Sequence, residues 1–161
     1  MTGAPRPLKR RFYAKVLVDP SRPDGCWRWA STTNGNGYGV MSLGRRGEGR
    51  EYAHRLSWQL FKGEALPEEV DHICRNRSCV NPEHLRAATS AQNKQNYALL
   101  ASNKTGYRGV SYNRRDGVYY AQVEHQGVKR HLGSFRTAEE AAEVAKAKRL
   151  ELFTHNEMDR L

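Results

Sequence analysis

The most informative stretch of the chain runs from Asp71 to Leu85 and reads DHICRNRSCVNPEHL. It contains two cysteines, Cys74 and Cys79, and then His84. The third cysteine, Cys26, lies far upstream, and an odd number of cysteines cannot all pair in intramolecular disulfides. Three thiols and an imidazole form a Cys3His set, which suits tetrahedral Zn2+. The alternative is three buried thiols beside a surface histidine.

The overall charge of the chain indicates an anionic partner. Of its 161 residues, 27 are Lys or Arg and 17 are Asp or Glu, which leaves a formal net charge of +10. With 38% hydrophobic and 27% charged residues, the composition is that of a globular protein. A polyanion such as nucleic acid is therefore the expected partner.

The longest apolar runs are only a few residues long, whereas a transmembrane helix needs roughly 20. The beginning of the chain is basic and interrupted by prolines, and it lacks the apolar stretch of a secretion signal. We therefore expect no membrane partner and a cytoplasmic location.

The distribution of residue types along the chain predicts two small modules. A basic N-terminal arm, residues 1–22, precedes a first module over residues 23–100. A polar stretch with a turn-forming glycine, residues 101–106, is the predicted linker to a second module over residues 107–161. Cores of this size often need a metal for stability, which favours a structural ion in the first module.

The hydrophobic pattern of the first module predicts short strands and two helices. Apolar residues at helical spacing predict an amphipathic helix that begins at residue 54 or 55 and stops at residues 62–63. A second helix is expected over residues 90–100, capped by Thr89 or Ser90. Strands are expected at residues 37–43, 51–54, 69–72 and 85–88, with a turn over 44–49. We interpret Trp27, Trp29 and Trp58 as core residues.

In chain order the motifs are Cys-Trp, His-Arg, Asp-His-x-Cys-x-x-x-x-Cys-x-Asn-Pro-x-His-Leu and then a further Asn. Over residues 12–96 this order resembles the zinc-stapled HNH and His-Cys box endonucleases of phages and mobile introns, which share a ββα-metal active site. The resemblance implies a structural Zn2+ on Cys26, Cys74, Cys79 and His84. It also implies that His72 is the general base and that Asn93 and Asp71 hold the catalytic metal ion.

The chemistry of phosphodiester hydrolysis fits these residue types. The reaction needs a deprotonated water and a cation that neutralises the developing charge. An imidazole such as that of His72 titrates near neutrality and suits the first task. The side-chain oxygens of Asn93 and Asp71 suit Mg2+ or another divalent cation. The alternative for His72 is an ordinary polar histidine.

The position of His84 affects how His72 is held. In plain HNH enzymes an asparagine side chain orients the base, and here His84 occupies the matching place. We therefore expect a backbone carbonyl in the cysteine loop to hold His72, while Asn81 serves a turn.

An arginine beside the scissile phosphate is expected in such nucleases. Arg55 is one candidate, and Arg45, Arg46 and Arg50 on the preceding hairpin are equally available. The spacing does not choose among them, and a non-specific phosphate contact is an equal alternative. His54 is a weaker candidate for a role in the site.

The second module has a clearer pattern. Strands are predicted at residues 107–112, 118–124 and 128–133, joined by Asp-Gly and Gln-Gly turns. Thr137 and Glu140 match a capping box that begins an alanine-rich helix ending near Phe153. The predicted fold class of the chain is α+β: a zinc-stapled ββα-metal module followed by a three-stranded antiparallel sheet packed on one helix.

The second module, over residues 104–153, resembles the ethylene-response-factor DNA-binding domain of plants, which phage HNH proteins also carry. The resemblance implies a sheet laid in the major groove of double-stranded DNA. Ser111 and Tyr112 depart from the plant pattern, so base preference is not transferred. The candidate DNA contacts here are Arg108, Arg114, Arg115, Tyr120, Gln122, Lys129 and Arg130.

These features predict a metal-dependent DNA endonuclease, a homing-type or phage HNH nuclease that nicks or cuts double-stranded DNA in the cytoplasm of a phage-infected bacterial host. The resemblance implies 5′-phosphate and 3′-hydroxyl products. A single active site favours a nicking monomer, and simultaneous cuts require a homodimer. Two alternatives stay open: a non-catalytic, sequence-specific DNA-binding protein with a zinc-held HNH scaffold, and an RNA-binding structural protein that prefers single strands.

Overall fold

A computed structural model describes residues 7–44, 48–97, 99 and 102–160. By its internal contacts the chain divides into two compact units, residues 1–89 and residues 90–161, and each is described by itself. Arg45 and Arg46 of the predicted hairpin turn lie outside the described residues, as does Ala101 of the predicted linker. The predicted domain limits remain predictions.

The first unit consists of short strands and two helices arranged around one aromatic core. Three antiparallel pairs, β1 with β2, β3 with β4 and β5 with β6, make three separate two-stranded sheets. In chain order the elements are α1 (Leu8–Tyr13), β1 (Val16–Leu17), β2 (Arg28–Trp29), β3 (Val40–Ser42), β4 (Arg50–Tyr52), α2 (Ala53–Phe61), β5 (Glu69–His72), a 3-10 turn (Pro82–His84) and β6 (Leu85–Ala88).

The core of the first unit draws on residues from most of its length. Phe12 is fully buried and packs with Trp29, Met41 and Leu56. Burial of an aromatic or large aliphatic side chain stabilises a fold by roughly 1.5–3 kcal/mol. Because Phe12 belongs to the predicted basic arm, residues from α1 onward are fixed to this core, and their cations are held at defined places.

The burial of the three tryptophans confirms that they are core residues. Trp29 and Trp58 are almost completely buried. Trp27 is half-buried and packs against the main cluster from its edge. Trp58 joins Val70 and Leu85 in a second cluster beneath the β5–β6 pair. This second cluster fixes that hairpin to helix α2.

The β5–β6 hairpin has the strand limits that the sequence predicts, residues 69–72 and 85–88. Its register places Asp71 opposite Arg86 and His72 opposite Leu85. The loop between the two strands carries the cysteines.

Two elements predicted for the first module are shorter than expected. The strand predicted over residues 37–43 covers only β3, because Gly37 lies in a turn with a φ of 83°. The helix predicted over residues 90–100 ends at residue 95, as α3 (Ser90–Gln95). Its end is closed by hydrogen bonds from the N–H groups of Asn96 and Tyr97 to carbonyls three residues earlier. Residues 98 and 100 lie outside the described residues.

The second unit contains α3 and a three-stranded antiparallel sheet of β7 (Val110–Asn113), β8 (Val118–His125) and β9 (Val128–Phe135), in that order. Helix α4 (Ala138–Leu152) packs on one face of this sheet, and α5 (Glu157–Arg160) follows. The first strand starts three residues later than predicted because Gly109 has a φ of 77°. A side chain on Gly109 would also meet the carbonyl oxygen of Gln122.

Helix α4 lies close to the sheet because small residues face it. Ala141 and Ala145 are fully buried against Val110 and Ala121. The predicted capping box is present. Thr137 Oγ1 accepts the N–H of Glu140 at 3.2 Å, and the Glu140 carboxylate accepts the N–H of Thr137 at 3.3 Å.

The prediction of a mixed α+β chain with small sheets and a cysteine–histidine cluster is therefore confirmed. Among the described helices, none combines the length and the apolar character needed to cross a lipid bilayer.

A buried ion pair closes the second unit. Arg149 Nε and Nη2 donate to the Asp159 carboxylate at 2.6 and 2.8 Å, and Asn156 adds a third hydrogen bond at 2.6 Å. Burial raises the pKa of Asp159, but the hydrogen bonds from Arg149 and Asn156 outweigh burial and hold this pKa below its ordinary value.

We expect Asp159→Asn to destabilise the second unit by about 3 kcal/mol at neutral pH, because Arg149 is left buried without its partner. The folded-state pKa is depressed, so the ion pair stabilises the protein above the ordinary carboxyl pKa near 4 and less as the pH falls through the lower folded-state value. Urea unfolding followed by circular dichroism at several pH values checks this.

The matched control is Glu157→Gln, which removes a partly exposed contact with Arg160 at 3.6 Å. It should change stability by less than about 1 kcal/mol. An Asp159→Asn penalty that stays the same from neutral pH to strongly acid pH would show that the carboxylate charge is not the source of the stability.

Candidate active site and metal centre

Four predicted metal ligands come together in the first unit. One ligand atom from each of Cys26, Cys74, Cys79 and His84 lies within 4.8 Å of all the others. Cys26 precedes β2, the other two cysteines lie in the loop after β5, and His84 ends the 3-10 turn before β6. The spacing in the sequence predicts this group of residues, and the fold assembles it.

The geometry of the cluster fits a tetrahedral ion. His84 Nδ1 lies 3.5 Å from Cys26 Sγ and 3.5 Å from Cys79 Sγ. With bonds of about 2.3 Å to sulfur and about 2.1 Å to nitrogen, ligand atoms around zinc stand roughly 3.6 Å apart. The other ring nitrogen, Nε2, donates to the carbonyl oxygen of Asp24 at 2.9 Å. This second contact turns Nδ1 toward the sulfurs, as outer partners of metal-binding histidines do.

The cysteine loop is tied to its surroundings by backbone hydrogen bonds. The N–H of Trp29 donates to the carbonyl of Ser78, and the N–H of Val80 donates to the carbonyl of Trp27. Asn81 accepts the N–H of Glu83 and donates to the carbonyl of Gly25 at 2.8 Å. Asn81 therefore serves the turn, as predicted, and also connects it to the segment that carries Cys26.

One thiol of the cluster, that of Cys74, has a lowered pKa. A hydrogen bond from Cys79 lowers the pKa of Cys74 to about 5, even though burial opposes this. The thiolate form is the one that binds metal.

His72 lies at the end of β5 beside this cluster and is only 5% exposed. Its Nε2 donates to the carbonyl oxygen of Cys79 at 3.0 Å. The expectation that a backbone carbonyl of the cysteine loop holds this ring is therefore confirmed. Burial holds the pKa of His72 below its ordinary value, although the Cys79 carbonyl and the charges of Cys74 and Asp71 act in the opposite direction.

Asp71, one residue earlier, is also buried and pairs with an arginine that sequence analysis missed. Arg86 Nε donates to Asp71 Oδ2 at 2.8 Å, and Arg86 Nη2 lies 2.8 Å from the same oxygen. The two residues are direct cross-strand partners in the β5–β6 register. Both strands are predicted with the correct limits, and antiparallel pairing of their full lengths places Asp71 opposite Arg86.

Aromatic rings surround His72 on the side of β4 and α2. The ring of His54 lies 4.8 Å from the ring of His72, and Tyr38 contacts both histidines at 5.4 and 6.0 Å. Tyr52 stacks on His54 at 5.6 Å. Arg77 covers the outer face of Tyr38 at 5.5 Å. From the sequence, His54 is only a weaker candidate and Tyr38 is not a candidate, because neither residue is near His72 in the chain.

His54 is 93% buried, since only 7% of it is exposed. Within the part of the chain that the structure describes, its Nδ1 has no hydrogen-bond partner. Burial, together with the neighbouring His72 and Arg55, lowers the pKa of His54 to about 3. The ring beside His72 is therefore neutral at physiological pH.

Two further candidate residues of the predicted nuclease module are Arg55, in the first unit, and Asn93, in the second unit. Arg55 contacts Glu51 at 3.6 Å and donates to the carbonyl of Glu68 at 3.3 Å. Its guanidinium is thus already used within the first unit. Asn93 lies in α3 of the second unit and is half-buried.

Apart from Arg108, the candidate DNA contacts of the second unit divide into three groups. Tyr120, Gln122 and Lys129 share the sheet face opposite α4, because Ala121 and Val123 between them are buried on the helix side. Arg114 and Arg115 are exposed in the turn between β7 and β8, and Arg130 is exposed next to Lys129 on the other face.

Arg108 differs from the other candidates. Its guanidinium donates to the carbonyls of Gln95 and Lys94 at 2.7 and 3.2 Å, and it lies 5.6 Å from the ring centre of Phe153. These contacts attach α3 to the sheet of the second unit. Its predicted DNA contact stays a prediction.

Comparison with known proteins gives one family and several viral relatives. The family described as HNH endonuclease matches residues 51–95. Protein 2.8 of Escherichia phage T7 is 32% identical over 101 residues, which cover 63% of this chain and 67% of that protein. The uncharacterized gene 5.3 protein of Enterobacteria phage T3 is 43% identical over 70 residues, 40% of this chain and 68% of the relative.

A further relative is an uncharacterized HNH endonuclease of Acanthamoeba polyphaga mimivirus, 33% identical over 107 residues, which cover 65% of this chain and 54% of the relative. None of the solved structures gives a significant match. The matched segment, residues 51–95, contains Asp71, His72 and three of the four clustered metal ligands. The chain therefore belongs to the family of the phage T7 and phage T3 proteins. At residues 51–95 it carries an HNH endonuclease domain.

Proposed function

We propose that this chain is a metal-dependent DNA endonuclease that hydrolyses a phosphodiester bond with His72 as the general base. The observation that carries the proposal is the hydrogen bond from His72 Nε2 to the carbonyl of Cys79, a residue whose sulfur belongs to the metal cluster. This arrangement gives the base a fixed orientation at the end of β5, inside the segment that matches the HNH endonuclease family.

The contacts of His72 suit removal of a proton from water. Because Nε2 donates its hydrogen to Cys79, the ring is in the tautomer whose Nδ1 carries a lone pair. Burial disfavours the charged ring, so the base is in its active neutral form at physiological pH. A water beside Nδ1 can then be deprotonated for attack on phosphorus.

Asp71 and Asn93 are the proposed ligands of the catalytic Mg2+ or another divalent cation. A carboxylate has two oxygens and about four lone-pair sites, so pairing of Asp71 Oδ2 with Arg86 is compatible with a metal contact through Oδ1. When bound, the cation supplies positive charge to the leaving 3′ oxygen, which accords with 5′-phosphate and 3′-hydroxyl products. Arg86 holds the Asp71 carboxylate in one orientation.

The proposed Zn2+ on Cys26, Cys74, Cys79 and His84 has a structural role. These four residues would fill all four positions of a tetrahedral ion, as in structural zinc sites, and would leave no position for substrate. The ion would fix the loop that supplies the carbonyl group to His72.

The second unit is the proposed DNA-positioning module, in the manner of the ethylene-response-factor domain that it resembles. Its open sheet face carries Tyr120, Gln122 and Lys129, and a two- or three-stranded sheet fits the major groove. Exposed Arg114 and Arg115 extend this face at the β7–β8 turn. Double-stranded DNA is the proposed substrate, in the cytoplasm of a phage-infected bacterium, with cleavage by a monomer that nicks or a homodimer that cuts both strands.

A second candidate function is a non-catalytic DNA-binding protein in which the HNH fold is a zinc-held scaffold. The observation that favours it is the charge pairing of Asp71 with Arg86, because Arg86 competes with a metal ion for the same carboxylate. Both functions need zinc and DNA, and only the endonuclease breaks strands.

The decisive experiment incubates the wild-type protein and His72→Ala with supercoiled plasmid, with and without Mg2+. We expect relaxed or linear DNA from the wild type only when Mg2+ is present. Loss of a general base typically costs 10²- to 10⁴-fold in rate, and His72→Ala should show a loss of this order. Gel electrophoresis of timed samples measures it.

The control variant is His125→Ala, which removes a histidine of the second unit that packs on Phe153 at 5.9 Å. It should cleave at the wild-type rate. Plasmid that is bound but never cleaved by the wild type, across several divalent metals, would exclude the endonuclease and favour the non-catalytic alternative.

The proposed zinc site predicts the metal content of the purified protein. The purified protein should contain one Zn2+ per chain, and replacement by Co2+ should give the absorption bands of a tetrahedral cobalt–thiolate site. Cys26→Ser should lose this stoichiometric metal. Ser78→Ala, in the same loop but outside the cluster, should keep it. Full metal content in Cys26→Ser would remove Cys26 from the ligand set.

A further inference from the structure

The first unit has a positively charged concavity, of about 280 Å³, that the proposed cleavage chemistry does not use. Three cationic residues from three separate segments line it: Arg11 from α1, Lys15 from the turn after it, and Arg50 from β4. The other polar residues of its wall are Ser31, Thr32 and Ser42. Convergence from distant segments distinguishes it from a run of surface lysines.

Two of these cations are held in place by the fold. Arg11 Nη1 and Nη2 donate to the carbonyls of Leu43 and Ser42, both at 2.7 Å. A guanidinium has five N–H donors, so this anchoring leaves further donors for a ligand. Lys15 Nζ donates to Ser31 Oγ at 3.0 Å, and the Ser31 hydroxyl keeps its own hydrogen for donation. The site is therefore partly organised before any ligand arrives.

The positive charge of the cavity is not neutralised by the described part of the chain. Arg11, Lys15 and Arg50 make no ion pair with any described carboxylate, and no acidic residue is among those that line the cavity. Like charges gathered in a concave surface repel one another and focus the electrostatic potential. An anion placed among them relieves this repulsion. The hydroxyl groups and the guanidinium are donors of the kind that bind phosphate oxygens.

The position of Arg50 connects the cavity with the proposed cleavage centre inside the first unit. Arg50 and Tyr52 are two residues apart on β4 and therefore project from the same face, about 6 to 7 Å apart along the strand. Tyr52 stacks on His54, whose ring contacts His72. A nucleic-acid strand lying across the base is thus within reach of the cavity.

We infer that Arg11, Lys15 and Arg50 form a binding site for one backbone phosphate of the DNA, separate from the phosphate that is hydrolysed. This inference rests on the proposed function for the identity of the polyanion. The site would fix the register of the DNA on the first unit, because phosphate contacts position a protein on DNA without reading its sequence.

The test is the salt dependence of DNA binding by the full chain, measured by fluorescence anisotropy on a linear duplex without added Mg2+, so that no cleavage is required. Each phosphate neutralised by the protein contributes about 0.9 to the slope of log K against log salt. Arg11→Gln, Lys15→Gln and Arg50→Gln are compared with the triple variant and with the wild type. Thermal unfolding confirms that each variant is folded.

We expect each single variant to lower the slope by at most about 0.9, and the triple variant to lower it by about 0.9 and not by about 2.7, because the three side chains share one phosphate. The control is Arg22→Gln, an exposed cation of the same unit that does not line the cavity, and its slope should match the wild type.

Three results would overturn the inference. A triple variant that lowers the slope by about 2.7 would mean separate phosphate contacts and no shared site. Slopes equal to that of Arg22→Gln would mean that the cavity does not touch DNA. Absence of DNA binding by the wild type would remove the proposed function first and this inference with it, and the wild-type curve alone distinguishes that case.

Discussion

The hydrogen bond from His72 to the carbonyl of Cys79 joins the proposed general base to the cysteine–histidine cluster that could hold a metal ion. Cys79 contributes in two directions, since its carbonyl holds the imidazole while its sulfur lies among Cys26, Cys74 and His84. The ring is buried and needs a partner for its N–H, because an unsatisfied buried donor costs about 1–3 kcal/mol. An ion in the cluster would fix that partner, so the proposed zinc would act on the proposed base through a single residue.

The rest of the first unit explains why such a fixed point is needed. Its sheets are pairs of strands two to four residues long, and isolated two-stranded pairs are marginally stable. They hold together because Phe12, Trp29 and Leu56 form one core and because Trp58 seats the β5–β6 hairpin on α2. The cysteine loop lies outside these clusters apart from Val80, and the four clustered ligand atoms give it a centre of its own.

The cysteines and His84 can be predicted as a metal-ligand set from their residue types, and the resemblance to HNH nucleases implies the role of His72. The sequence also predicts β5 and β6 to the residue, since the cysteine-bearing loop and the Asn-Pro turn between them mark where they end and begin. It does not reveal the contact between His54 and His72, which depends on how α2 packs. Nor does it predict that Phe12 anchors the basic N-terminal segment, because one apolar residue among cations has no periodicity to read. Shortened elements such as β3 reflect positive φ angles at glycines, which composition alone does not locate.

The central claim, that a metal ion in the cysteine–histidine cluster fixes the proposed base His72 through Cys79, is tested most directly by nitrogen-15 NMR of the His72 ring in the full chain. With zinc bound, we predict one tautomer, protonated at Nε2, whose ring hydrogen exchanges slowly with solvent. After zinc is withdrawn by a chelator, that hydrogen should exchange rapidly and the tautomers should mix, while the signals of the second unit persist. A His72 ring whose tautomer and exchange rate are unchanged after zinc is withdrawn would contradict the account.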